Sequence, residues 1–268
     1  MASNRSMLAE AELLVAFRER GCPICRVKAA SARRYIAHLL WENVNDLETR
    51  THLARSLGFC PEHTWQLYLM EIKDQGSETA VGIIYADLVG RVVAGLRSFA
   101  AQLPAAAFGD KPSRRGVWSQ AREALGMAAD LSVVRPEGIL PSEPCRPCEF
   151  ARESEQSDLT WLVEACAEDA FRARYAASDG LCLNHLRQAL EISGAGYPAV
   201  AQFLTEMAVQ RLSVLAEDLE EYVRKKMWQY HEEVITPGEQ DAPRCATQFF
   251  GGPGLLRGEE PTEKDQPA

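Results

Sequence analysis

The sequence predicts an all-α protein of two helical pseudo-repeats, each a helical hairpin closed by a Cys3His metal site, with a long amphipathic helix added. Three observations carry that reading. One cysteine/histidine pattern occurs twice, the apolar residues between its members recur near the 3.6-residue period, and glycine and proline fall where helices stop and start.

The pattern is Cys-x2-Cys, then 34 or 33 residues, then Cys-x2-His preceded by Gly-x: "CPIC" with "GFCPEH", and "CRPC" with "GLCLNH". A shift of 123 superimposes Cys22 on Cys145, Cys25 on Cys148, Leu39 on Leu162 and Asp46 on Asp169. After a one-residue deletion the shift is 122, and Arg50 meets Arg172, Ser56 meets Ser178, Gly58 meets Gly180 and Gln66 meets Gln188. Six of the eight cysteines and two of the five histidines belong to this duplication, which argues against coincidence.

Taken in order, "MASNRSMLAEAELLVAFRER" reads as a first amphipathic helix, because acidic residues interrupt its apolar run and no secretory pattern is present. In the first copy, Val27, Ala30, Tyr35, Leu39 and Leu40 define one face of a helix through "RVKAASARRYIAHLLWENV". A second helix, "LETRTHLARSL", follows the Asn45-Asp46 break and stops at Gly58, where glycine accepts a left-handed backbone. Cys60 then opens another helix, with Pro61 and Glu62 suited to its first turn. The second copy repeats this: a helix through "FARESEQSDLTWLVEACAEDAF", then "RARYAAS", a stop at Asp179-Gly180, and a helix from Leu183 to about Ile192. Each copy is followed by a longer helix, the first over "SETAVGIIYADLVGRVVAGLRSFAAQL" and the second starting at Pro198 and running through "WQY". The stripe Phe203, Leu204, Met207, Leu212, Leu215, Leu219, Tyr222 and Val223 reads as core, with a homodimer seam as the rival use of it. The expected organisation is therefore a first repeat over 1–105, a linker with a short helix near 117–128 over 106–144, a second repeat over 145–235, and a mostly disordered tail over 236–268.

Hydrophobic residues make up 46% of the 268 and charged residues 25%, the balance of a globular protein. The most apolar segment, "AVGIIYADLVGRVVAGL", is broken by Asp87 and Arg91 and falls short of the roughly 20 residues a bilayer span needs, so no membrane span is expected. A net charge of −9 disfavours generic nucleic-acid binding, and the short basic clusters such as Arg224-Lys225-Lys226 read as solvated helix faces. With no export signal the expected location is cytoplasmic, where thiols stay reduced, so eight cysteines point to metal or thiol chemistry rather than a disulfide framework.

Two thiolates three residues apart can bite one ion from a single turn, and Cys-x2-His at a helix start aims sulfur and imidazole the same way. The expected ligand sets are Cys22, Cys25, Cys60 and His63 in the first repeat, and Cys145, Cys148, Cys182 and His185 in the second. Zn2+ at both sites suits such donors best; an iron-sulfur cluster is the rival cofactor, and redox-active or simply reduced thiols are the rival chemistry. Four protein donors leave no open position for a substrate, which makes the sites structural. Cys166 reads as a small core residue, Cys245 as a free thiol, and His38, His52 and His231 as structural or exposed. Neither a Gly-x-Ser-x-Gly elbow nor a phosphate loop ending in Gly-Lys-Ser/Thr is present, which lowers the enzyme reading.

"CPIC", "NDLETR", "GFCPEH", the second Cys-x-x-Cys with "GLCLNH", and the late "LEEYVRKKMWQY" together resemble an uncharacterised bacterial family known as a numbered domain of unknown function, over residues 20 to about 252. The resemblance implies a soluble bacterial protein with this double pattern and brings no activity with it. The function expected from the residues is binding of a protein partner as a scaffold or adaptor, with a thiol redox sensor as the alternative and a nucleic-acid-binding zinc protein as a weaker one.

Overall fold

A proline in the first turn or a capping side chain marks several helix starts: Pro61, Pro198 and Pro237 open helices, and the side chains of Asp46 and Thr236 cap two. In the computed structural model, which describes residues 10–102, 137–194 and 196–252, the chain is helical throughout and forms no strand among the described residues. Helix α1 covers 10–16 and α2 covers Pro23–His38, followed by a wider π-helical turn at Leu39–Asn43. Asp46 then caps α3 (Leu47–Ser56), its carboxylate accepting from the Thr49 amide at 2.8 Å. Helix α4 (Pro61–Gln75) starts on a proline, α5 covers Thr79–Gln102, and a 3-10 turn lies at Glu137–Ile139. The second copy supplies α6 (Arg146–Ala165), α7 (Asp169–Ala176) and α8 (Leu183–Ser193), followed by α9 (Pro198–Lys225), a 3-10 turn at Trp228–Tyr230, and α10 (Pro237–Gly251).

Several features differ from the sequence reading. The helix expected to run from Pro198 through "WQY" ends at Lys225, and Trp228–Tyr230 form a separate 3-10 turn. The long helix of the second copy breaks at 166–168 instead of running to Phe171, in register with the break before Asp46 of the first copy. The supposed tail contains α10, because Thr236 and Glu239 form a reciprocal capping box and Lys225 holds both Glu239 carboxylate oxygens, at 2.7 and 2.8 Å. Helix α5 is long and apolar enough by length and composition to cross a membrane, where none was expected. One face of it nevertheless packs in the protein through Ala80, Ile84 and Leu88, and Asp87 pairs with Arg50 and Arg91. The linker helix expected near 117–128 and the tail beyond 252 lie outside the described residues.

The chain divides into two compact units that do not follow the repeats: residues 1–34 with 149–268, and residues 35–148. The first has a core of Leu13, Ile24, Leu159, Leu162, Val163 and Leu204, with Phe17 packed between the rings of Phe171 and Tyr175 at 5.4 and 6.0 Å. Leu204 and Val200 of α9 are buried in this core and Phe203 and Met207 pack against it, so the first half of the stripe is core, whereas Leu212, Leu215 and Leu219 are half-buried outside it and Val223 is exposed. The second is built on Ile36, Leu39, Leu53, Leu67, Met70 and Ile84.

Gly58 and Gly180, equivalent in the duplication, both have left-handed backbones (φ 90° and 81°) just before a Cys-x2-His. Leu57 is left-handed as well (φ 51°), so the C-terminal cap of α3 takes two such residues where the sequence suggests one. Against Gly180 lies Arg211, whose Nη2 donates to the carbonyls of Tyr175, Ala176 and Ser178 at 2.9, 3.1 and 2.9 Å. A Cβ on Gly180 would come within 2.3 Å of Arg211 Nη1. Gly180→Ala should therefore cost about 2–4 kcal/mol, from left-handed strain plus the displaced charged donor. In a thermal melt the Arg211→Ala background should absorb part of that loss, whereas fully additive effects would mean the two do not meet.

Candidate metal centres

Each Cys-x2-His opens a helix in the same way. Cys60 (φ −63°, ψ 162°) and Cys182 (φ −69°, ψ 165°) are extended N-cap residues whose thiols make no capping bond. Their carbonyls take the first helical bonds, from Thr64 at 2.9 Å and Leu186 at 2.8 Å, so the sulfur is left for other donors and His63 or His185 projects from the same first turn. Each Cys-x2-Cys likewise straddles the start of α2 or α6.

The structure brings all eight expected residues into two clusters but exchanges their partners. Cys22 and Cys25 meet Cys182 and His185; Cys60 and His63 meet Cys145 and Cys148. The within-repeat ligand sets expected from the sequence are thus corrected: each cluster takes its Cys-x2-Cys from one repeat and its Cys-x2-His from the other. In each, one donor atom per residue lies within 4.8 Å of the other three. His185 Nδ1 is 3.3 Å from both Cys22 and Cys25 Sγ and 3.2 Å from Cys182 Sγ, and Cys25 Sγ is 3.8 Å from Cys182 Sγ. His63 Nδ1 is 3.1, 3.6 and 3.3 Å from the sulfurs of Cys60, Cys145 and Cys148, and Cys60 Sγ is 3.6 Å from Cys148 Sγ.

Loops before the helices hold these meetings in register. The Gly21 amide donates to Asp179 at 2.6 Å, tying the entry of Cys22 to the turn before Cys182. In the other unit the Ser142 amide donates to the Arg55 carbonyl at 2.8 Å, and Glu143 pairs with Arg55 and His52 at 2.9 and 2.7 Å. The Arg55 hydrogen bond, with His52 beside it, holds the Glu143 carboxyl below the usual range. His52, read as structural, is thus a brace for the second cluster.

Two helix N-termini face each cluster, and their partial positive charge favours thiolate over thiol. Hydrogen bonds from Cys22 and Cys25 lower the Cys182 thiol well below its ordinary value, and the same bond with Cys182 raises Cys25. Burial opposes charge on His185, but bonds to Cys182 and Cys22 outweigh it and raise the imidazole to about 10. Burial pushes Cys148 up to about 12 and raises Cys145 too.

Sequence reasoning missed Glu155 and Lys28. Glu155 Oε1 lies 2.6 Å from His185 Nε2 and Oε2 lies 2.7 Å from Lys28 Nζ, so a carboxylate holds the far side of the ring. No spacing rule could find it, since the bond joins α6 to α8. Cys166 is fully buried, its thiol pushed up to about 12 by burial, and with Cys245, His38, His52 and His231 it stays outside both clusters.

No curated protein and no solved structure matches the chain. A model of a family of unknown function, DUF6062, matches residues 12–253, and the chain belongs to that family.

Proposed function

We propose that this is a helical protein held in shape by one zinc ion in each Cys3His cluster, and that it serves as a non-catalytic scaffold for a protein partner. The carrying observation is the spacing of the donors. A tetrahedral zinc with bonds of about 2.3 Å to sulfur and about 2.0–2.1 Å to nitrogen requires edges of about 3.8 Å between sulfurs and about 3.5 Å between sulfur and nitrogen. One sulfur pair in each cluster, at 3.8 and 3.6 Å, and the sulfur-nitrogen pairs at 3.1–3.6 Å fit those edges, and all four donors of each cluster lie within 4.8 Å of one another. A multi-iron cluster would spread its ligand sulfurs farther apart, which weighs against the iron-sulfur alternative. Four protein donors complete each tetrahedron, so a structural role follows.

A protein partner is supported by the surface of α4, where Trp65, Leu69 and Ile72 form an i, i+4, i+7 stripe of which 64%, 60% and 39% is exposed. Elemental analysis of protein purified anaerobically should give two zinc ions per chain; iron, or ion-free protein with oxidised thiols, would overturn the zinc reading. Trp65→Ala with Leu69→Ser should keep both ions and the melting temperature while losing a cross-linked partner in cells of origin. An unchanged cross-linking pattern would remove the support for this surface.

Coordination requires deprotonated thiols and a neutral imidazole. A cysteine thiol ordinarily titrates at about 8.5, so in a chain stripped of its ions ligand thiols carry protons at neutral pH that an entering ion must displace. Adding zinc to chelator-stripped protein should therefore acidify a weakly buffered solution, and metal affinity should fall as pH falls. An affinity independent of pH between 6 and 8 would contradict coordination by these groups.

A further inference from the structure

The two clusters share a motif but not their surroundings. Cys22, Cys25, Cys182 and His185 are all buried, whereas Cys60, Cys145 and Cys148 are each half-buried around a buried His63. At the first cluster, Lys28 and Glu155 extend the ligand shell outward from His185 Nε2 through contacts of 2.7 and 2.6 Å. The repeat register puts Ala151 and Ala32 at the positions of Lys28 and Glu155, so whatever orients His63, it is not this pair.

We propose that the two sites are inequivalent in exchange: the cluster of Cys60, His63, Cys145 and Cys148 surrenders its ion to an incoming chelating ligand, while the cluster of Cys22, Cys25, Cys182 and His185 retains its own, with Glu155 as a positioning residue. The inference rests on the metal reading above. Ligand replacement at a tetrahedral ion begins when an outside donor reaches the metal or a thiolate detaches and is captured. Half-buried cysteines permit both routes; buried ones block the first. A carboxylate on the far imidazole nitrogen fixes the ring, keeps Nδ1 as the ligating atom and raises its basicity, and loss of such a partner typically weakens a site about 10- to 100-fold. In the exchange the ion passes from three thiolates and one imidazole to the chelator's donors, and the freed groups take protons from water.

The test uses the intact chain, first shown by elemental analysis to carry two ions, mixed with excess 4-(2-pyridylazo)resorcinol while the colour of its metal complex is followed. The expected release is biphasic, one ion per phase, with the slower phase belonging to the buried cluster of Cys22, Cys25, Cys182 and His185. Glu155→Ala should speed only the slow phase, by about 10- to 100-fold, and Glu155→Gln, which keeps an acceptor oxygen for the ring N–H, should restore part of the retention. A merely structural loss would move both phases. On the wild-type chain, N-ethylmaleimide labelling followed by peptide mass analysis should modify Cys60, Cys145 and Cys148 before Cys22, Cys25 and Cys182. A single phase, the reverse labelling order, or a slow phase untouched by Glu155→Ala would overturn the inference and leave the metal reading standing. Protein that carries no ion would instead overturn the metal reading before any kinetics are measured.

Discussion

Replacing Cys22 and Cys182 together by serine should remove one metal ion per chain, whereas replacing Cys22 and Cys60 together should remove both. The first pair shares a cluster although 160 residues separate its members; the second is divided between clusters although both come from the first repeat. Within-repeat sites would give the opposite counts, so elemental analysis of two double variants decides the pairing. The stability effect is expected to be large. Structural zinc contributes about 10–16 kcal/mol of apparent binding energy at neutral pH, comparable with or above the roughly 5–15 kcal/mol that holds a domain folded. The first variant should therefore lose the protease resistance of the unit of residues 1–34 and 149–268 and keep that of residues 35–148. A Cys22→Ser, Cys60→Ser chain that retained one ion would refute the exchanged pairing.

Glu71→Ala should destabilise the unit of residues 35–148 by about 1–4 kcal/mol, since it strips the acceptor from one buried amide, at about 1–3 kcal/mol, and from one half-buried amide that water can partly satisfy. Glu71, only 1% exposed, reaches from the last turn of α4 to the start of α5, where its two oxygens accept from the Ala80 and Val81 amides at 2.7 and 2.8 Å. Its charge also faces the positive end of the α5 dipole. Glu71→Gln retains one acceptor oxygen and should recover about half of the loss. Denaturant titration checks both, and a loss below about 1 kcal/mol for the alanine variant would show that water replaces the carboxylate there.

Much of this molecule is legible in its sequence because the signals are local. The helix period, the Asn45-Asp46 break, the glycines before each Cys-x2-His and the prolines at positions 61 and 198 act over one or two turns, and the helices they bound follow the expected order. Helix α10 was misread because a Pro/Gly-rich, acidic stretch reads as tail; its anchor, Lys225 against Glu239, spans 14 residues. Glu71 was unremarkable for a similar reason, as an acid near a helix end reads as solvated until the next helix is placed over it.

The duplicated motif by itself determined which eight side chains would converge, since only Cys-x2-Cys and Cys-x2-His at helix starts present two donors from one turn. Which pairs meet is decided by tertiary structure alone. A Cys-x2-Cys and a Cys-x2-His from either copy offer the same donors at the same local spacing, so local chemistry cannot choose between partners. The choice falls to long-range packing, in which the buried faces of α2 and α8 share the core of one unit and loop bonds such as Gly21 to Asp179 and Ser142 to Arg55 bring the helix starts together.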